Sequence, residues 1–142
     1  LPGGRILVGR DLVEDHETPD VVAGYVLAET LRREAEDPMA RLLRAAGTLA
    51  TFRLLTTGRL PESRLAAYAE HLLTAEPDPV PVEALLARFA AARVPSSPYA
   101  YAVDITGEST LGLIEADPMW QNGAEPVLSD ADWVSLQGIC GE

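Results

Sequence analysis

Prolines placed directly after a helix-capping residue most constrain how this chain of 142 residues can fold. Proline fits the first turn of a helix but breaks a helix interior, and a preceding Thr or Asp caps the helix start. Thr18-Pro19-Asp20 and Asp37-Pro38 have this pattern, and Leu60-Pro61-Glu62 is a third helix start. The sequence therefore predicts a succession of helices, the first of which runs from Thr18 to about Glu36.

Two further helices are predicted in the second half of the chain. Apolar residues recur at helical spacing after the proline-rich stretch at residues 77–81, and Ser129-Asp130 caps a short last helix. The apolar positions of these two helices are Val82, Leu85, Leu86 and Phe89, and then Trp133, Leu136 and Ile139.

Two segments have patterns typical of β structure. Residues 5–8 follow the Gly3-Gly4 pair and predict a short strand, and residues 99–104 and 110–115 flank a turn, which predicts a β-hairpin. On that hairpin Tyr99 and Tyr101 share one strand face. The expected fold is therefore α+β: one mostly helical domain over residues 1–142, with a short N-terminal edge strand and a C-terminal β-hairpin.

Composition excludes several classes of function. The net charge is −11 and lysine is absent, which argues against a nucleic-acid partner, because phosphate binding needs clustered basic residues. No window approaches the ~20 continuous apolar residues of a membrane span. Cys140 is the single cysteine, so an intramolecular disulfide cannot form. The chain begins at Leu1 rather than Met, and we expect a processed precursor or a trimmed fragment.

Two motifs resemble the substrate-cleft strand and active-site helix of the HtpX-like gluzincin zinc peptidases. They are L-P-G-G-R-I at residues 1–6 and V-L-A at residues 26–28, which in that family precedes H-E-x-x-H. In this chain Glu29 stands at the first His, Thr30 at the general-base Glu and Arg33 at the second His. Glu62 stands at the third-ligand Glu. The resemblance covers residues 1–80, and it implies an edge strand over the active-site-like helix, with residues 81–142 completing the domain.

The substituted positions predict a domain without metal, cofactor or catalysis. Two His one helical turn apart are needed to hold zinc, and the Glu between them polarises the zinc-bound water. Glu29, Thr30, Arg33 and Glu62 offer no imidazole and no base. Arg33 could instead neutralise both carboxylates with its guanidinium, or all three charges could be solvated on helix faces.

The predicted function is that of a non-catalytic, metallopeptidase-like domain that binds a protein or peptide. The peptide would pair along the edge of strand 5–8, beside Ile6 and Val8. Trp120, an aromatic residue in a polar loop, is a further candidate contact. The alternatives are an atypical metal-dependent peptidase or an unrelated α+β structural or assembly domain. The resemblance suggests a cell-envelope or membrane-associated location, and the sequence does not identify the partner.

Overall fold

The computed structural model describes residues 6–35, 62–63, 66–67, 70, 78–121 and 123–139. All the regular secondary structure of these residues is helical. The chain divides into two compact units. The first unit contains residues 6–31 and the described residues from 80 onwards, and the second contains residues 32–35 and the described residues between 62 and 79. None of the described helices is long and apolar enough to cross a bilayer.

The helices for which both ends are described are numbered in chain order. They include the three that capping residues and the spacing of apolar residues predict most clearly. They are α1 (Arg10–Glu14), α2 (Pro19–Ala35), α3 (Val82–Ala92), α4 (Ser97–Val103), α5 (Leu111–Glu115) and α6 (Asp130–Gly138). The predictions for α2, α3 and α6 are confirmed. The Ser129 hydroxyl caps α6, accepting a hydrogen bond from the Asp132 amide at 3.2 Å. Residues 62–63, 66–67 and 70, which follow the predicted start at Leu60-Pro61-Glu62, are also helical, whereas the helix predicted to begin at Asp37-Pro38 lies outside the described residues.

The core of the first unit forms where α2, α3, α4 and α5 meet. Tyr99 of α4 is its central side chain: the ring lies 5.0 Å from that of Tyr25 in an edge-to-face arrangement and 5.7 Å from that of Phe89. Aromatic pairs at such spacings contribute beyond the area that they bury. The buried members of this core are Ala28, Leu85, Phe89, Val94, Tyr99, Ala100 and Leu113.

Two buried hydroxyl groups fix α4 against α5. The Ser96 hydroxyl donates to the Leu113 carbonyl at 2.6 Å, and the Thr110 hydroxyl donates to the Ala100 carbonyl at 3.1 Å. Both residues are buried, so the hydrogen bonds satisfy groups that would otherwise be costly to remove from water. The relative position of α4 and α5 is therefore set by polar contacts as well as by packing.

A smaller cluster connects the two ends of the first unit. Val13 of α1 and Trp133 of α6 are both buried. The Gln137 amide donates to the Val13 carbonyl at 3.1 Å and to the His16 carbonyl at 3.4 Å. These hydrogen bonds cap the end of α1 with a side chain that is 121 or more residues away along the sequence.

The predicted edge strand is not present. Residues 6–9 form neither helix nor strand, and Leu7 and Val8 are exposed. No strand occurs among the described residues that could pair with this segment, and an unpaired strand gains no ladder hydrogen bonds. The chain enters helix α1 directly at Arg10, whose guanidinium pairs with Glu14 at 2.7 Å. Residues 1–5 lie outside the described residues.

The predicted β-hairpin over residues 99–115 is also wrong, because these residues form α4, a loop and α5. Tyr99 is 5% exposed whereas Tyr101 is 50% exposed. Residues two apart share a face on a strand but lie about 200° apart on a helix, so the two tyrosines face opposite ways. The Tyr-Ala alternation therefore marks one buried and one exposed helix face rather than one face of a strand.

Favourable groups at the start of α4 explain why the helix forms there. Pro98 occupies the first turn, where its missing N–H costs no hydrogen bond. The Asp117 carboxylate accepts hydrogen bonds from the Ser97 amide at 2.9 Å and from the Ser97 hydroxyl at 2.6 Å. This capping group lies 20 residues away in sequence, which is why local patterns do not reveal it.

We expect a Gly24→Ala change to destabilise the protein, because α2 packs closely on Tyr99. A Cβ on Gly24 would lie 2.4 Å from the Tyr99 Cβ, whereas a Cβ on Gly138 of α6 would meet nothing within 4 Å. Gly24→Ala should cost about 1–3 kcal/mol through overpacking. Gly138→Ala is the matched control and should be neutral or stabilising by up to about 1 kcal/mol. Urea unfolding measures both, and equal effects would contradict the close approach.

Candidate functional site

The predicted remnant of a zinc site includes three partly buried residues of α2. Glu29 and Arg33 lie one turn apart on the helix, and Thr30 lies beside Glu29. The Thr30 hydroxyl donates to the Leu27 carbonyl at 2.7 Å within the same helix. Thr30 is thus engaged with its own backbone, and its hydroxyl has no basicity with which to replace a catalytic carboxylate.

Glu62, the remaining predicted position, is exposed on a helical segment. It belongs to the second unit, as does Arg33, whereas Glu29 belongs to the first. The convergence of these three side chains stays a prediction. In the part of the chain that the structure describes, no group of three or more His, Cys, Asp or Glu residues is placed to hold a metal ion.

We predict that the protein retains no stoichiometric zinc and cleaves no peptide with or without added metal. None of Glu29, Thr30, Arg33 and Glu62 supplies an imidazole. Thr30 stands at the general-base position and Arg33, a cation, at the second ligand position, so the general base and both histidine ligands of a gluzincin are missing. Elemental analysis after dialysis against trace zinc should give well under one equivalent. A full equivalent, with peptide cleavage that Glu62→Gln abolishes, would show an active site.

A loop fixed by one carboxylate joins α4 to α5. The two Asp104 carboxylate oxygens accept hydrogen bonds from the amides and hydroxyls of Thr106 and Ser109, at 2.6–2.9 Å. The Thr106 and Ser109 hydroxyls, with the amides, hold the pKa of Asp104 far below its ordinary value. Gly107 has a φ of 74°, which a residue with a side chain rarely adopts. The loop is therefore held in one conformation, with Ile105 87% exposed.

Four exposed apolar side chains, here called the apolar face, lie on this loop and on the helices next to it: Val82, Tyr101, Ile105 and Leu111. These residues are respectively 43%, 50%, 87% and 51% exposed. A Cβ on Gly107 would lie 2.8 Å from Ile114 and 3.4 Å from the Tyr101 ring, and one on Gly112 would lie 3.2 Å from Val82. The absence of a side chain thus lets Tyr101 and Ile114 lie close to Gly107, and Val82 lie close to Gly112.

Acidic residues flank the apolar face in the sequence. Glu83, Glu108 and Glu115 are exposed and each is adjacent in sequence to a residue that forms the face or contacts it. After Arg93 the sequence has eight acidic residues and no Lys, Arg or His. The eleven arginines all lie at or before Arg93. This separation of charge is visible in the sequence, although periodicity and motif spacing do not draw attention to it.

A second candidate site is an open groove of about 690 Å³ between the end of α3 and the segment at residues 119–127. Its walls include Ala90, Arg93, Val94, Met119 and Val127. Trp120 follows Met119 in sequence and is 83% exposed. The predicted contact residue is thus accessible, next to a groove that is partly apolar.

Two carboxylates support the walls of this groove. Burial raises the pKa of Asp20, against the lowering effect of a hydrogen bond from the Val127 backbone. Among the residues that the structure describes, the buried Oδ1 atom of Asp20 has no hydrogen-bond partner. Although burial acts in the opposite direction, hydrogen bonds from Ser97, Met119 and Ser96 hold the pKa of Asp117 below its ordinary value. Asp117 therefore fixes both the start of α4 and the turn that carries Trp120.

We expect Asp117→Asn to destabilise the protein at neutral pH by about 0.5–1 kcal/mol, because the amide is a weaker acceptor at a helix start. The folded-state pKa of Asp117 lies below the unfolded value, so its stabilisation is present above the unfolded pKa and is lost as the pH falls through the folded pKa. The difference in unfolding free energy between wild type and variant should thus shrink below about pH 4. A difference that is independent of pH would contradict the charged cap.

No protein-family model, curated protein or solved structure matches this chain. The resemblance to the zinc peptidases stays a prediction. The structure gives the predicted residues Ile6 and Val8 no strand, and it leaves Trp120 exposed on a turn. The sequence pattern does not reveal the apolar face, since it predicts a β-hairpin over the segment that contains Tyr101, Ile105 and Leu111. The D-I-T-G-E-S segment at residues 104–109 is the local signal of the fixed loop.

Proposed function

We propose that this chain is a non-catalytic domain that binds a protein or peptide partner through the apolar face. The substituted positions Glu29, Thr30 and Arg33 support the absence of peptidase chemistry, as the resemblance implied. Pairing of a peptide with an edge strand is not part of the proposal, because residues 6–9 form no strand. The binding surface is instead helical.

The observation that carries the proposal is the exposure of large apolar side chains on a backbone fixed by hydrogen bonds. Ile105 and Tyr101 remain exposed although the Asp104 contacts hold the loop between α4 and α5 in one conformation. A backbone fixed before binding loses less conformational entropy when a partner is bound. Clustered exposed apolar groups with acidic neighbours also match the usual arrangement of an interface, with an apolar centre and a polar rim.

The spread of the apolar face favours a polypeptide partner. Its four side chains come from α3, α4, the following loop and α5. A peptide helix or strand can contact several such elements at once through side chains along its length. A second copy of this chain would bring further acidic residues against Glu108 and Glu115, and like charges across an interface are costly.

We predict that peptides selected from a random display library will bind wild type through Ile105. Removal of its side chain should weaken the binding of selected peptides by about tenfold or more, the effect of losing a central apolar contact. Ile139→Ser is the matched control, because Ile139 is 77% exposed and lies directly after α6. Fluorescence anisotropy with wild type, Ile105→Ser and Ile139→Ser measures the difference.

Two results would contradict this assignment. In one, the selected peptides bind Ile105→Ser and Tyr101→Ser as tightly as wild type. In the other, Trp120→Ser abolishes binding whereas Ile105→Ser does not, which would place the interaction at the groove beside Met119. Circular dichroism of each variant checks that helical content is retained, so that a loss of binding reports on the surface.

A further inference from the structure

We propose that the partner segment bound by the apolar face is basic and amphipathic, with Arg or Lys residues beside its apolar side chains. This inference rests on the proposed function and specifies the chemistry of the partner. It follows from the charges at the edge of the apolar face and from the positions of the arginines.

Every charged residue directly adjacent in sequence to the apolar face or to Ile114 is acidic. Glu83 follows Val82, Asp104 precedes Ile105, and Glu115 follows Ile114. Glu108 follows Gly107, over which Tyr101 and Ile114 lie. The side chains of Glu83, Glu108 and Glu115 are exposed, so that their charges are available to a partner at the edge of the apolar contacts.

The two arginines of α3 lie further along the helix than Val82. Arg88 is six residues from Val82, roughly 9 Å along the helix axis, and Arg93 follows the last helical residue, roughly 16 Å away. The first separation is close to the screening length of about 8 Å at physiological ionic strength, and the second exceeds it. Between residues 94 and 139 there is no Lys, Arg or His to neutralise the acidic edge.

Asp104 has a different role from the three glutamates. Asp104 accepts hydrogen bonds from Thr106 and Ser109 with both oxygens, and its carboxylate is part of the loop structure. Glu108 directly follows Gly107 and Glu115 directly follows Ile114, the two residues that approach each other closely. Basic groups flanking an apolar segment would meet these glutamates while the apolar side chains cover Tyr101, Ile105 and Leu111. Such charge complementarity sets the choice of partner and the rate of association.

Three synthetic probe peptides of equal length test the inference. Each is an amphipathic helix with leucine on one face, and the other face carries lysine, glutamine or glutamate. We expect the lysine probe to bind wild type at least about tenfold more tightly than the glutamine probe, and the glutamate probe to bind most weakly. Raising the NaCl concentration from about 0.05 to about 0.5 M should reduce this preference, because salt screens exposed charges.

Matched variants show whether the preference belongs to the apolar face. The double variant Glu108→Gln, Glu115→Gln should weaken binding of the lysine probe about fivefold and leave the glutamine probe unchanged. Glu17→Gln, Glu125→Gln makes the same change in net charge at exposed acids elsewhere and should have little effect. Ile105→Ser should weaken every probe that binds at the face, whereas Ile139→Ser should not.

The outcomes separate the partner chemistry from the proposed function. Equal binding of lysine and glutamine probes, both lost in Ile105→Ser, would overturn the basic partner and leave the binding face in place. Lysine-probe binding that responds equally to both double variants would reduce the effect to net charge and overturn the inference. Failure of all three probes to bind would also overturn it, while the display selection with Ile105→Ser would still decide whether the face binds peptides.

Discussion

The contact between Tyr99 and Gly24 determines the arrangement of the first unit. The absence of a side chain at Gly24 lets the Tyr99 Cβ and ring approach the backbone of α2, and the same ring packs against Tyr25 and Phe89. This packing fixes the rotation of α4 about its own axis. Because Tyr101 lies about 200° further round the helix, it is directed away from the core and stays half exposed. Core packing and the exposed apolar face are thus consequences of one helix orientation.

Carboxylates at the two ends of α4 complete this arrangement. Asp117 accepts hydrogen bonds at the start of the helix, and Asp104 fixes the loop that follows its end. The pKa of each carboxyl group lies below its ordinary value, so both are ionised at neutral pH. Both accept hydrogen bonds from backbone amides, which in an isolated short helix or loop would bond to water. An acidic composition, which argues against nucleic-acid binding, therefore also has a structural role. The remaining exposed glutamates give the apolar face its negative edge.

The sequence predicts helices well where cap and periodicity are local. Thr18-Pro19 and Ser129-Asp130 mark the starts of α2 and α6, and the spacing of Leu85 and Phe89 marks α3. It fails over residues 99–115, because the Tyr99 and Tyr101 pattern fits either a strand or a helix with one buried tyrosine. The deciding contacts, Gly24 against Tyr99 and Asp117 against Ser97, are distant in sequence. For the predicted metal-site residues, convergence of the side chains rests on the resemblance alone.

Backbone and side-chain NMR over residues 97–115 tests this account most directly. Helical Cα shifts for residues 97–103 and 111–115 are predicted, with slow exchange of the Thr106 and Ser109 amides. Nuclear Overhauser effects should connect the Tyr99 ring to the Gly24 α-protons, and the Tyr101 ring should show none to Gly24. Strand-type shifts, with contacts across a hairpin between residues 99–104 and 110–115, would contradict the helix orientation and remove the apolar face that depends on it.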